Sequence, residues 1–238
     1  METADRAHAP VVVAIDGPSG SGKSTVSRAV AAELGLSFLD TGAMYRAMTW
    51  WMLANEIDVT DADAVALACG KPVIVSGTDA AGPTITVDGQ DVSGPIRGQE
   101  VTSQVSAVAA VPQVRARLVE LQRGCAEVAE RGIVAEGRDM GSVVFPDATV
   151  KIFLTASETA RAERRAAELR AKGLDEATIT AMAADLARRD AADSSRETAP
   201  LTQAPDAVLV DTSALTLEQV IDRITALVEE KAASLSAA

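Results

Sequence analysis

Five short apolar runs, rich in β-branched residues, are spaced along the chain at residues 11–16, 37–40, 132–135, 150–154 and 207–211. Most are followed by long stretches with helical spacing of apolar and charged residues, at 24–34, 155–172, 176–189 and 217–231. Strands that are buried on both faces and joined by helices are typical of a parallel sheet. We therefore predict an α/β fold with a five-stranded parallel sheet flanked by helices.

Two local signals predict where the helix at 155–172 begins and ends. Thr155 and Glu158 have the spacing of a capping box, and Gly173 has the place of a C-terminal glycine. We expect the helix to begin at Thr155 and to stop before Gly173.

Residues 71–97 interrupt the alternation of strands and helices. Three short β runs are joined there by glycine- and proline-rich turns, and Asp88-Gly89 is a two-residue hairpin signal. This pattern predicts a small antiparallel sheet inserted into the parallel fold. Short exposed strands can also pair with partners, which leaves an interaction role open for the insertion.

The amino-acid composition argues against several classes of function. The net charge of −12 argues against a general binder of nucleic acid or of anionic membranes, which would carry a basic field. Cys69 and Cys125 have no metal-binding spacing, so we expect free thiols. The first ten residues lack the apolar segment of a signal peptide, and no apolar run has membrane-spanning length. We expect a soluble cytoplasmic monomer.

The strongest motif, GPSGSGKST, follows the first strand and opens a helix. Its residues are Gly17, Pro18, Ser19, Gly20, Ser21, Gly22, Lys23, Ser24 and Thr25. In such a P-loop, backbone N–H groups and the helix N-terminus bind a polyphosphate. Lys23 would reach the β- and γ-phosphates, and Ser24 would ligate Mg²⁺. The motif predicts a nucleoside triphosphate site without deciding between a kinase and a switch.

A set of arginines could bind further anions against the overall negative charge. Its members are Arg46, Arg115, Arg138, Arg161, Arg164, Arg165, Arg188, Arg189 and Arg196. Arg161, Arg164 and Arg165 share one helix face by spacing. For Arg164 or Arg170 alone, a solvent-exposed salt bridge with Glu168 or Asp185 is the favoured interpretation. The run RRDAADSSR at 188–196 is interpreted as the edge of a lid that closes over phosphates.

Two more segments follow strands and offer ligand contacts. In residues 136–147, Arg138 and Asp139 stand between Gly137 and Gly141 at the end of a strand. In DTGAMYRAM, residues 40–48, Arg46 is expected in the first turn of a helix, where a cation has the wrong sign for the macrodipole. Tyr45 and Arg46 thus stand where an acidic residue would be the more favourable choice.

The absence of a histidine outside the N-terminal segment narrows the chemistry, because His8 is the sole histidine. A phosphate acceptor is largely ionised at neutral pH and needs no histidine base, only cations that hold two phosphates in line. The residues thus favour a kinase that acts on a phosphate. Kinases of shikimate, pantoate or another nucleotide remain alternatives, while a GTPase switch would need an NKxD-type run, which the chain lacks.

In combination, FLDTGAMYR, EGRDMGSVVFPDA and the RDxxDxxR run before APL resemble the bacterial cytidylate kinases over nearly the whole chain. The resemblance implies transfer of a phosphoryl group from ATP, with Mg²⁺, to CMP or dCMP. It also implies a core at 10–60, 106–160 and 198–232, an inserted monophosphate-binding subdomain at 61–105 and a lid at 161–197. Residues 1–9 and 233–238 would be flexible tails.

The resemblance also implies roles for individual residues. The monophosphate site would be lined by Asp40, Thr41, Tyr45 and Arg46, and cytosine would be read by Ser106, Arg115 and Asp139. Arg138 and Arg189 would bind phosphate, Asp193 and Arg196 would contact the sugar or base, and Arg161 and Arg165 would be lid arginines. The catalytic set is then Lys23, Arg138, Arg161, Arg165 and Arg189. The family often has a further lid arginine where this chain has Ala192.

Overall fold

The computed structural model describes residues 10–171 and 199–236, and between them residues 173, 175, 176, 179, 180, 188, 191 and 193–195. The strands in this part of the chain are β1 Val11–Asp16, β2 Ser37–Asp40, β3 Ile74–Ser76, β4 Ile85–Val87, β5 Gln90–Asp91, β6 Gly132–Gly137, β7 Val150–Thr155 and β8 Val208–Asp211. The helices are α1 Lys23–Leu34, α2 Thr41–Ala54, α3 Ala62–Ala68, α4 Gln99–Ala110, α5 Pro112–Glu127, α6 Glu158–Ala171 and α7 Leu217–Ser236. A 3-10 turn spans Pro95–Arg97 and a π-helical turn spans Met140–Val144.

The central sheet confirms the predicted fold class. Among the described residues, five parallel strands lie in the order β2-β6-β1-β7-β8, so β1 is in the middle. Aliphatic side chains of α1 and α7 pack on one face of this sheet, with Val30 and Ile224 fully buried. Helices α2 and α5 pack with residues of the insertion in the core on the other face. Both faces are therefore covered, as the continuous apolar runs of the strands require.

The insertion forms a separate antiparallel sheet in the order β3-β4-β5. Asp88 and Gly89 connect β4 to β5 with φ angles of 51° and 83°, the left-handed pair that a two-residue hairpin turn requires, so the predicted hairpin is confirmed. The Asp88 carboxylate accepts hydrogen bonds from the Trp51 indole and the Val73 backbone, which ties the hairpin to α2. The Phe38 N–H on the edge strand β2 donates to the Thr78 carbonyl at 2.8 Å.

The capping box predicted at Thr155 is wrong. Thr155 is the last residue of β7, where it pairs with Asp211 of β8, because sheet pairing continues past the predicted end of the strand. Helix α6 begins at Glu158, and the Ser157 hydroxyl accepts the Ala160 N–H at 3.2 Å. Its predicted end is close to the observed one, since α6 ends at Ala171 and Gly173 follows with a φ of 80°.

Other helix bounds differ little from the predicted ones. Helix α1 starts one residue early, at Lys23, and α7 continues to Ser236, into the range predicted as a C-terminal tail. Most of the helix predicted at 176–189 lies outside the described residues. None of the helices described here combines the length and the apolarity that crossing a bilayer would require.

Candidate active site

The carboxyl ends of the three neighbouring strands β2, β6 and β1 surround a cavity of about 670 Å³. In an open parallel sheet this edge is where ligands bind. Seventeen of the predicted site residues line it, namely Ser19, Gly20, Ser21, Gly22, Lys23, Ser24, Thr25, Asp40, Thr41, Tyr45, Arg46, Ser106, Arg115, Arg138, Asp139, Arg165 and Asp193. Gly17, Pro18 and Arg161 are not among the lining residues, and Arg189 and Arg196 lie outside the described residues.

The P-loop leaves β1 at Gly17 and enters α1 at Lys23. A Cβ atom on Gly17 would lie 1.9 Å from the Leu154 carbonyl oxygen, so any other residue would push β7 away from the loop. Gly22 has a φ of 90°, which lets the chain turn into the helix. Lys23 is buried, and its Nζ donates to the Pro18 carbonyl at 2.8 Å. The lysine therefore lies folded across its own loop.

Arginines from distant elements donate hydrogen bonds to the P-loop. Arg138, after β6, donates from Nη1 to the Gly17 carbonyl at 2.9 Å and from Nη2 to the Ser19 hydroxyl at 2.5 Å. Arg161 of α6 donates to the Ser19 carbonyl at 3.0 Å. The shared face that the spacing predicts for α6 is thus turned toward the P-loop.

The interpretation of Arg164 as a solvent-exposed salt bridge is wrong. Arg164 lines the cavity and donates to the Thr212 hydroxyl at 2.8 Å and to the Thr212 carbonyl at 2.6 Å. Long-range packing of α6 against the loop after β8 brings these groups together, which helix spacing alone does not reveal. Arg170 does form an exposed ion pair, with Glu176 at 2.6 Å, while Asp185 and the side chain of Glu168 lie outside the described part of the structure.

A buried ion pair lies on the other side of the cavity. Arg115 of α5 donates to the Asp139 carboxylate, and their side chains are 5% and 3% exposed. Arg115 also donates to the Ala109 carbonyl at 3.3 Å, and its guanidinium lies over the Tyr45 ring, 5.4 Å from the centroid. Ser106 of α4 lines the cavity beside them. Four elements thus converge on one charged pair.

The cations between these two ends come from α2 and from the segment after β6. Helix α2 begins at Thr41, so Arg46 is in its second turn, and the macrodipole penalty expected for a first-turn cation does not apply. Arg46 donates to the Ile96 carbonyl at 3.1 Å and to the Thr102 hydroxyl at 2.8 Å. Arg138 also pairs with Asp193, Nε to Oδ2, at 3.0 Å.

Comparison with known proteins decides the family. The Cytidylate kinase family model matches residues 13–230. The chain belongs to the cytidylate kinase family. A Cytidylate kinase of Streptomyces coelicolor is 65% identical over 98% of this chain and 99% of its own length, and one of Streptomyces avermitilis is 64% identical over 94% and 95%. One of Streptococcus pneumoniae is 46% identical over 93% and 98%.

Membership of the cytidylate kinase family confirms the resemblance and makes the chain a nucleotide-binding kinase.

The sequence analysis missed one cation that lines the cavity. Arg97, in the 3-10 turn, lines the cavity with 67% of its side chain exposed, and its Nη2 lies 3.6 Å from Asp40 Oδ2. The signal was the arginine of GPIR, directly before α4, in a run otherwise interpreted as turn.

Sequence reasoning also missed two buried carboxylates. Asp16 and Glu136, in β1 and β6, are 3% and 4% exposed. Burial raises the pKa of Asp16 to about 6, against hydrogen bonds from Gly141 and Met140 that lower it. Burial also raises the pKa of Glu136, and so does the nearby charge of Asp40. The charges of Lys23 and Arg138 and a hydrogen bond from Ser24 lower it. The available signal was an acid at the end of a strand predicted to be buried on both faces, or directly after it.

Proposed function

We propose that this protein transfers the γ-phosphoryl group of ATP to the phosphate of CMP or dCMP. An oxygen of the acceptor phosphate forms a bond to the γ-phosphorus while the bond to the bridging β–γ oxygen breaks. The products are ADP and CDP or dCDP. Membership of the cytidylate kinase family supports this reaction.

The observation that carries the proposal is one cavity that joins two different ends. The P-loop lines one end, and the Arg115–Asp139 pair with Ser106 lines the other. A nucleoside triphosphate on the P-loop and a second nucleotide against the buried pair would place two phosphates toward each other. Positioning and electrostatic stabilisation are what phosphoryl transfer requires of a protein.

Cytosine fits the chemistry of the buried pair. Its exocyclic amine needs an acceptor, which Asp139 supplies, while its N3 and O2 need donors, which Arg115 and Ser106 supply. Uracil has no amine at that position, so Asp139 would face it without a matching donor. Leaving a buried polar group unpaired is costly, and discrimination against such an analogue is correspondingly strong.

Two arginines are candidates for binding the acceptor phosphate. Arg46 and Arg97 line the cavity, with Arg97 beside Asp40, and Arg138 stands between the P-loop and Asp193. We assign Arg46 and Arg97 to the acceptor phosphate, and Arg138 to both phosphates. Lys23 and Arg165 serve the phosphates of ATP, while Leu215 and Leu217 offer apolar contacts beyond the P-loop for its base.

Mg²⁺ fits the residues beside the P-loop. The Glu136 carboxyl receives a hydrogen bond from Ser24, yet its Oε1 atom is buried with no hydrogen-bond partner in the described part of the chain. Among those same residues no group of three or more His, Cys, Asp or Glu side chains could hold a metal. Mg²⁺ bound to nucleotide phosphates needs only one or two protein oxygens and retains waters. Ser24 and Glu136 would hold it, and it would neutralise charge on the transferring group.

A substrate panel tests the proposal. The purified protein is assayed with ATP and each of CMP, dCMP, UMP, AMP and GMP, with ADP formation as the readout. We expect turnover on CMP and dCMP at a kcat/KM far above that on UMP. Comparable kcat/KM values for UMP and CMP would overturn the cytosine-reading assignment, and turnover on AMP or GMP alone would overturn the proposed acceptor.

A further inference from the structure

The Asp16 side chain joins the strand that carries the P-loop to the loop that carries Arg138 and Asp139. Asp16 ends β1 directly before Gly17, and it is 3% exposed. Its Oδ1 accepts the Met140 N–H at 2.7 Å and its Oδ2 accepts the Gly141 N–H at 2.8 Å. One carboxylate thus fixes two successive peptide groups in a segment more than a hundred residues away.

Side chains of both segments take part in this link. Arg138 reaches from the same segment to the Gly17 carbonyl and the Ser19 hydroxyl. Four hydrogen bonds therefore join residues 16–19 to residues 138–141. Asp139, whose carboxylate pairs with Arg115, sits in the middle of the second segment, so its place relative to the P-loop is set by these bonds.

The choice of an acid at this position needs an explanation, because burying a carboxylate opposes folding. A carboxylate presents two acceptor oxygens at a fixed separation, and each accepts one N–H here. Asparagine has the same shape but replaces one acceptor with an NH₂ donor, which would face a backbone N–H. The position therefore requires both acceptors, although an acid is costly there.

We propose that Asp16 is a positioning residue for phosphoryl transfer, which holds Arg138 and Asp139 in register with the P-loop. The inference rests on the proposed function, since it assigns donor and acceptor nucleotides to the two joined segments. Asp16 touches neither nucleotide and acts through the two peptide groups that it binds.

The test compares Asp16→Asn with Arg123→Met. Arg123 of α5 holds the far end of the same π-helical turn, donating from Nε to the Val144 carbonyl and from Nη2 to the Val143 carbonyl, both at 2.9 Å. It anchors the turn to α5 rather than to the P-loop, so it controls for general loosening of the turn. For Asp16→Asn we expect kcat on CMP to fall about 10- to 100-fold, the usual effect of a small misplacement of reacting groups.

Two further readouts separate positioning from stability. In Asp16→Asn the ratio of kcat/KM for CMP to that for UMP should fall, while the KM for ATP stays close to the wild-type value. In Arg123→Met the melting temperature should fall but that ratio should stay at the wild-type value. If both variants lose kcat only in proportion to their melting temperatures, and both keep the ratio, the inference is wrong.

If Asp16→Asn does not fold, hydrogen exchange of the unmodified protein tests the positioning role of Asp16 instead. ATP without CMP should slow exchange of the Met140 and Gly141 amide hydrogens, because Asp16 couples the ordering of the P-loop to these two peptide groups. Unchanged exchange of both amides with ATP would contradict the inference. Absence of wild-type turnover on CMP would instead contradict the proposed function, so the two failures are distinguishable.

Discussion

Arg115 donates to the Asp139 carboxylate in an ion pair that the protein buries almost completely, with 5% and 3% of the two side chains exposed. Four elements supply the residues around this pair, and it also lines the cavity that contains the P-loop. A buried pair of this kind is a poor source of stability, because both charges have lost their water. We therefore expect the pair to serve specificity, which makes it part of the core and part of the proposed base site.

Asp139→Asn is expected to damage both roles at once. Removing one charge leaves Arg115 buried and unpaired, which destabilises a protein by about 3–5 kcal/mol. The variant should also lose most of its discrimination between CMP and UMP. Urea unfolding and the substrate panel measure the two effects. Asp206→Asn, which breaks the surface pair with Lys151, is the control and should leave both nearly unchanged. An Asp139→Asn variant that retains full preference for CMP would contradict the base-site assignment.

Tyr45 contributes to this pair through its ring. Its centroid lies 5.4 Å from the Arg115 guanidinium carbon, so Tyr45→Phe should keep the cation–π contact and Tyr45→Leu should lose it. We expect Tyr45→Leu to be less stable than Tyr45→Phe by about 0.5–2 kcal/mol, with a higher KM for CMP. Equal stability and equal KM in the two variants would show that the ring only fills space.

The strands and the P-loop could be predicted from the sequence because their signals are local. The β-branched runs and the turn residues Asp88 and Gly89 depend on neighbours along the chain. Asp16, Arg164 and Arg97 could not be assigned, since their roles come from contacts across the fold. These contacts are with the π-helical turn after β6, the loop after β8 and Asp40, respectively. The capping error at Thr155 has the same cause, because pairing with β8 extended the strand over a local helix signal.

Arg46→Ala should strongly reduce the rate of phosphoryl transfer while leaving the affinity for ATP close to normal. Arg46 lines the cavity on the proposed acceptor side, whereas ATP is proposed to bind on the P-loop. The side chain also holds the Ile96 carbonyl and the Thr102 hydroxyl, so some stability should be lost as well. Calorimetric ATP binding and steady-state kinetics separate these effects, with Arg170→Ala, outside the cavity, as a control of equal charge. A large loss of ATP affinity in Arg46→Ala would place the residue in the donor site instead.

Stability should fall as the pH rises through the pKa of Asp16. Its folded pKa of about 6 lies above the ordinary value of 3.8, so the folded state binds the proton more tightly. The associated stability is complete below the unfolded pKa and is lost as the pH rises, with an upper limit of about 3 kcal/mol. Glu136 shifts in the same direction.

Urea unfolding between about pH 4 and pH 7, in EDTA and without nucleotide, measures this dependence. The exposed acids Asp58 and Asp91 have lowered pKa values and act at more acidic pH, outside this window. Asp16→Asn should flatten the curve. A wild-type stability that rises steadily with pH across the window would contradict the assignment.

Glu136→Gln is expected to change the Mg²⁺ requirement. The amide keeps the shape of the side chain but removes the negative charge beside Ser24. The Mg²⁺ concentration that gives half-maximal activity should rise, while stability at pH 8 in EDTA should increase because a buried charge is gone. An unchanged half-maximal Mg²⁺ concentration would separate Glu136 from the metal. Ser24→Ala tests the other proposed ligand in the same assay.

The hydrogen bond from Phe38 to Thr78 bears on how the chain avoids aggregation. Strand β2 forms one edge of the central sheet, and the insertion places a backbone carbonyl against it and buries Ala80 in the core beside it. Open sheet edges are templates for pairing with other chains. Deleting residues 71–97 would therefore remove a subdomain and also expose β2 as an open sheet edge. A shortened version of this kinase should precipitate at concentrations where the full chain remains dissolved.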